Sequence, residues 1–174
     1  MPKKARTNKA TASTVASAPS TTLGPTSTAA FSVGAIMLPG EEDDSVAVYD
    51  TCGDIRKKIN AHMKKPGVTQ AQFLRDLMAQ FHTEDKRIQG SQLQRFRGQS
   101  GETAGNTNPC YYAGYVFFEK MRIKEGKKKS AKREEMEEIH PGGMNTTERS
   151  SGMYWMGPGE SAHEDKYGVV HFSR

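Results

Sequence analysis

The sequence predicts an all-α fold, a small helical bundle of four to five helices with an irregular helix-turn-helix, flanked by disordered tails. Three observations lead there. Nearly half of the apolar residues other than alanine fall between Ile55 and Ile123, enough for one core of roughly 70 to 90 residues. Within that stretch apolar positions recur at three and four residues, the period of one helical face. The interval Thr69 to Arg97 reads as two short amphipathic helices in a basic segment, the order that a helix-turn-helix uses. The expected organisation is a low-complexity, disordered tail over 1–47, a helical domain over 48–140, and a mostly irregular tail over 141–174.

The opening tail is rich in Ser, Thr, Ala, Gly and Pro, a composition that buries too little surface to offset chain entropy. Its apolar patch, Phe31 to Leu38, reads as a chance cluster, with a short docking motif as the alternative. The acidic run Glu41-Glu-Asp-Asp44 reads as a solvated linker. The first helix begins near Asp50 or Thr51, with Asp54 in its first turn where the helix dipole favours a negative charge. Cys52, Ile55, Ile59 and either His62 or Met63 form its apolar face, and Pro66-Gly67 stops it.

Thr69-Gln-Ala-Gln72 matches a capping box, in which the threonine oxygen accepts from an early amide and Gln72 reaches back. Phe73, Leu74, Leu77 and Met78 supply the buried stripe, Val68 is placed to staple it, and Phe81 extends the same edge. The polar stretch His82 to Gly90 is longer than a tight helix-turn-helix allows. It either adds a helical turn around Asp85 to Ile88 or forms a longer loop. Ser91 is the expected cap of the next helix, with Leu93 and Phe96 facing the core.

Residues 98–109 read as a loop without the Gly-Lys-Ser/Thr ending of a phosphate-binding loop. Pro109 suits the first turn of the following helix. There Tyr111, Tyr115 and Phe118, with Tyr112, Val116, Phe117 and Met121, form a broad aromatic surface that reads as core rather than as a base-stacking platform. Ser130 is placed to cap a last helix reaching about Glu138, edged by Met136 and Ile139. From Pro141 onward no period is sustained. Tyr154 and Trp155 either anchor that tail or bind a partner, against the plainer reading of a flexible terminus.

Composition narrows the function classes. The 174 residues carry 25 Lys or Arg against 20 Asp or Glu, a net charge of +5, with a mean hydropathy of −0.75. The excess is local, with 18 basic against 12 acidic residues over 50–139 and four basic, no acidic, over the first 40. Such charge draws a polyanion without reading its sequence. Cys52 and Cys110 form no closely spaced pair, so neither a disulfide scaffold nor a zinc motif is expected. His62, His82, His140, His163 and His171 are scattered, and no nucleophile elbow or paired-carboxylate motif stands out. Neither an enzymatic activity nor a cofactor or metal is expected. No apolar run follows Met1-Pro-Lys-Lys-Ala-Arg, and no window approaches the ~18 apolar residues of a membrane span, so no membrane partner is expected.

The residues suited to nucleic acid are few. Gln92, Gln94, Arg95 and Arg97 offer groups that match base edges, while Arg56, Lys57 and the cluster Lys127, Lys128, Lys129, Lys132 and Arg133 suit phosphates. The cluster also reads as a nuclear-targeting patch. For each set the plain alternative is a solvated helix surface.

Three blocks, Thr51-Cys-Gly-Asp-Ile-Arg-Lys-Lys-Ile-Asn60, Val68-Thr-Gln-Ala-Gln-Phe-Leu74 and Tyr111-Tyr-Ala-Gly-Tyr-Val-Phe-Phe-Glu-Lys-Met-Arg-Ile-Lys124, together with the basic extension to Glu138, resemble a fungal family of unknown function, DUF7726, over roughly residues 50 to 140. The resemblance implies a homeobox-like or repressor-like helical domain with double-stranded DNA as partner, and brings no reaction or operator with it. The middle block departs from the family pattern, with Leu93 where an aromatic residue is usual and a longer polar connector before it. The expected function is that of a nuclear DNA-binding or chromatin-associated protein. The alternative is a structural or regulatory protein-interaction domain.

Overall fold

A computed structural model describes residues 33–83, 85–150 and 153–174. Among these residues five helices form a small all-α bundle: α1 Cys52–Met63, α2 Gln70–Met78, α3 Gly90–Gly98, α4 Pro109–Lys124 and α5 Ala131–Ile139. Each start has a local cause. Thr51 Oγ1 accepts from the Asp54 amide at 3.2 Å and Asp54 returns to the Thr51 amide at 3.4 Å, a closed capping box. Thr69 Oγ1 accepts from the Gln72 amide at 3.2 Å, but the Gln72 side chain turns forward to Asp76 and Arg75 instead of reaching back, so only half of the expected box forms.

Asn108 caps α4 by accepting from the Cys110 amide at 2.9 Å, with Pro109 at the first position, and Ser130 caps α5. The start of α3 lies two residues earlier than expected. Gln89 is its cap, its amide held by Gln92 Oε1 at 2.8 Å, while Ser91 sits inside the first turn. The α2–α3 connector, 79–89, is the longer loop rather than an added helical turn. It is pinned by buried Gln80, which donates to the Asp76 carbonyl, and by buried Ile88.

α4 is the axis of the bundle. Every residue from Cys110 to Phe117 is buried, as befits a helix covered on all sides, and α1, α2 and α3 all pack against it. Gly114 allows the closest approach, since a Cβ there would lie 2.9 Å from Ile55 Cγ2. At the α2 end His62, Phe73, Phe117 and Phe118 meet ring to ring at centroid distances of 5.2–6.2 Å. The aromatic surface is core, as its spacing implies.

The residues on either side of the helices are more ordered than their composition suggests. Residues 1–32, including Phe31 and most of the expected N-terminal tail, lie outside the described residues. From Val33 onward the expected tail is instead a strap: Val33, Leu38, Val46 and Val48 are buried in the core. The acidic run is no solvated linker. Glu41 is fully buried and accepts from the Lys120 ammonium, from the Leu38 amide at 2.8 Å and from His82 Nε2 at 2.8 Å. Asp44 accepts from the His82 and Thr83 amides, anchoring the strap to the connector that follows α2. At the other end, Ser161–Glu164 (β1) and Val170–Ser173 (β2) pair antiparallel, a ribbon that the absence of sustained period beyond Pro141 did not announce.

Cys52 and Cys110 are both at 0% exposure, and burial pushes each thiol up to about 12. The thiolate is the reactive form, so neither cysteine is expected to react with iodoacetamide at pH 8 in the native protein. Two alkylations per chain should appear only on denaturation, read by intact mass. Rapid native labelling would mean that the α1–α4 contact opens.

Candidate nucleic-acid interface

α3 turns Leu93 and Phe96 into the core and leaves Ser91, Gln94, Arg95 and Gly98 exposed along its opposite side. The stretch Lys86 to Gly101 contains Lys86, Arg87, Arg95 and Arg97 and no carboxylate. Gln94 and Arg95 have no side-chain partner among the described residues, so their donors and acceptors are available.

The other expected contacts are divided between free and committed groups. Arg97 is half-buried, its Nε donating to Asn60 Oδ1 at 2.7 Å, so it fastens α3 to α1. Gln92 is spent on the Gln89 amide. Arg56, expected on phosphate, is buried and points inward: its guanidinium donates to the Ala104 carbonyl at 2.7 Å and to that of Gly101, and lies 5.4 Å from the Phe96 ring centre. Its charge holds the 98–109 loop by satisfying carbonyls that have no ladder partner. Lys57 is exposed, with Asp54 3.7 Å away.

The basic cluster is largely neutralised. Lys127 pairs with Glu125 at 2.6 Å, Lys129 with Glu137 at 2.7 Å and Lys132 with Asp54 at 2.5 Å. Arg133 is buried between the Tyr49 and Tyr115 rings, 4.4 and 5.1 Å from their centres, and bonds Glu137 at 2.8 Å. Only Lys128 of the five projects without a carboxylate partner among the described residues. Lys127, Lys128 and Arg133 line a cleft of about 310 Å³ shared with Asp50, Glu119 and Glu125, so its walls carry both signs. Arg133 is therefore an internal strut for α5 and Arg56 one for the loop, and neither presents its charge to a phosphate.

Several residues that matter to the site's frame left no motif in the sequence. Glu41 and Lys120 are buried together. Glu164, from β1, accepts from the Glu102 and Thr103 amides at 3.0 and 2.8 Å, so the ribbon closes over the 98–109 loop. Among the described residues no helix is long and apolar enough to cross a membrane, and no group of three or more His, Cys, Asp or Glu side chains converges as a metal site.

No curated protein and no solved structure matches the chain. The resemblance read from its three sequence blocks has a counterpart in a comparison with family models. Residues 46–128, which contain α1 to α4 and the Arg95 face of α3, match the family described as a domain of unknown function, DUF7726.

Proposed function

We propose that this protein is a non-enzymatic, nuclear DNA-binding or chromatin-associated protein that engages duplex DNA with the exposed face of α3. The observation that carries this reading is the free Gln94–Arg95 pair on a helix whose neighbourhood, Lys86 to Gly101, is basic throughout. A 9-residue helix fits a major groove, and Gly98 keeps its last turn small. Arg95 and Gln94 supply the donor and acceptor pattern that base edges present, while Arg87 and Lys57 are solvent-facing charges for phosphates.

Arg95→Ala is expected to weaken specific duplex binding by about 1–3 kcal/mol and leave the fold intact. Arg97→Ala does not make an equivalent test, because it also releases Asn60. The measurement is selection of the full chain on a randomised duplex pool, then affinities of wild type and Arg95→Ala at several salt concentrations, with circular dichroism as the folding control. Equal affinity of the two proteins at every salt concentration would sink the α3 reading.

One observation favours the alternative of a protein-interaction module. Met153, Tyr154, Trp155 and Met156 are exposed in sequence, with Phe172 5.6 Å from Tyr154 between ring centres, an apolar run of the kind that hot spots use. With the α4 aromatics buried, this run is where such an interface would lie. Trp155→Ala would then abolish partner capture and leave any duplex binding unchanged.

A further inference from the structure

The ribbon brings together two residues that look unrelated in sequence. His163 on β1 and His171 on β2 are direct cross-strand partners, so both project from one face. Their rings are 5.4 Å apart between centres and inclined at 25°. His171 Nε2 is 2.8 Å from Asp165 Oδ2. That carboxylate is itself fixed by the turn, its Oδ1 accepting from the Tyr167 and Val169 amides at 2.8 and 2.9 Å.

From this arrangement we infer that the ribbon is a binding site for a divalent late transition metal such as zinc, nickel or copper(II), ligated by one nitrogen from each of His163 and His171. Imidazole suits these ions and carboxylate alone does not select them. An imidazole nitrogen sits ~2 Å from zinc, which puts the ring centre ~3 Å from the metal and two rings at a tetrahedral angle ~5 Å apart. The spacing across the ribbon matches that requirement. His163 is exposed, so rotation about its Cβ–Cγ bond aims a ring nitrogen at an ion shared with His171.

Asp165 supplies what a bare pair of surface histidines lacks. A ligating histidine ordinarily gives its second ring N–H to a carboxylate, which fixes tautomer and orientation. With Nε2 of His171 committed to Asp165, Nδ1 is the nitrogen left for the metal. Water completes the shell, since two imidazoles are the protein's whole contribution. Neutral imidazoles are the ligands, so binding an ion requires no bond to break beyond loss of any ring proton to solvent. Because Glu164, between these residues in chain order, holds the ribbon to the 98–109 loop, a bound ion clamps both strands at the place where the ribbon meets the bundle.

The test is calorimetric titration of the full chain with zinc chloride, repeated with nickel, alongside imidazole resonances followed by NMR. The expected result is one ion per chain, with the His163 and His171 resonances perturbed and those of His62 and His140 unmoved. His163→Ala and His171→Ala should each weaken binding at least ~10-fold, and Asp165→Asn, which keeps both ligands, by ~10-fold or more. His140→Gln should bind as the wild type does. The inference is overturned if the wild type shows no saturable binding, or if the His163→Ala and His171→Ala isotherms superimpose on it. If Asp165→Asn alone is without effect, the carboxylate's positioning role falls and with it the preorganised site.

Discussion

Glu41→Ala is expected to destabilise the protein by about 3–5 kcal/mol, the cost of leaving one member of a buried ion pair without its partner. The Lys120 ammonium is only 2% exposed, and without the carboxylate it has neither water nor counter-charge. Total stability of a domain this size is ~5–15 kcal/mol, so a urea midpoint followed by circular dichroism should fall by a large fraction. Glu41→Leu combined with Lys120→Met should be milder, since removing both charges leaves nothing unpaired. A Glu41→Ala midpoint equal to that of the wild type would show that the strap is not part of the folding unit.

The same pair sets an acid limit. Burial alone would push the Glu41 carboxyl up, but the hydrogen bonds from Lys120, the Leu38 amide and His82 outweigh it and hold the group below its ordinary 4.5. The unfolded chain therefore takes up this proton first as pH falls. Its stabilisation is complete above about pH 4.5 and is lost as pH drops from there through the lower, folded-state value. Asp54 and Glu119 are shifted in the same direction, burial again being overcome, by Lys132 and Thr51 for the first and by Arg122 and Arg133 for the second. His62 is held below its usual 6.5 by burial and the nearby Lys65, so its contribution starts to fade earlier, below about pH 6.5. Stability should thus fall in two stages on acidification, a shallow one below pH 6.5 and a steep one below 4.5.

Phe117→Ala is expected to cost as much by a different route. Phe117 is completely buried and meets His62, Phe73 and Phe118 edge-on at 5.4, 5.6 and 5.3 Å. Truncation leaves a ring-sized void between α1, α2 and α4 and forfeits those three contacts, together about 3–5 kcal/mol. Phe117→Leu fills most of the void and should lose much less. Thermal unfolding is the measurement, and a midpoint for Phe117→Ala within a degree or two of the wild type would mean that the cluster is not the centre of the core.

The helices were legible because their signals are local. Thr51, Thr69, Pro109 and Ser130 mark starts that the chain within four residues decides, and apolar spacing assigns Ile55, Phe73 and Tyr111 to the interior. Ser91 misled because the helix starts earlier, at Gln89, whose amide is held by Gln92 Oε1, and glutamine is outside the usual set of capping residues. What lay beyond reach was long-range. Arg56 finds its carbonyls 45 and 48 residues away, Lys132 its carboxylate 78 away, and nothing near either residue distinguishes an inward-pointing cation from a phosphate contact. Val33, Leu38, Val46 and Val48 belong to no regular element and so have no period to read. The His163–His171 pairing depends on ribbon register, which a four-residue strand pattern does not fix. At the candidate interface, Gln94 and Arg95 were legible as outward residues of an amphipathic helix, whereas the commitment of Lys132 to Asp54 and of Arg133 to the Tyr49 and Tyr115 rings was visible only once α5 had been set against the rest of the domain.

The bond between Glu41 and Lys120 also has a consequence for biogenesis. The two residues are 79 apart, so at ~5–20 residues per second a ribosome releases the strap roughly 4–16 s before the lysine that receives it. During that interval Val33, Leu38, Val46 and Val48 are without their final neighbours, and α1, α2 and α3 emerge with no axis to gather on. Only when α4 clears the exit tunnel can the bundle close, and its closing draws in the earliest part of the described chain among the last. The nascent polypeptide accordingly passes through a window in which its apolar strap is open to chaperones.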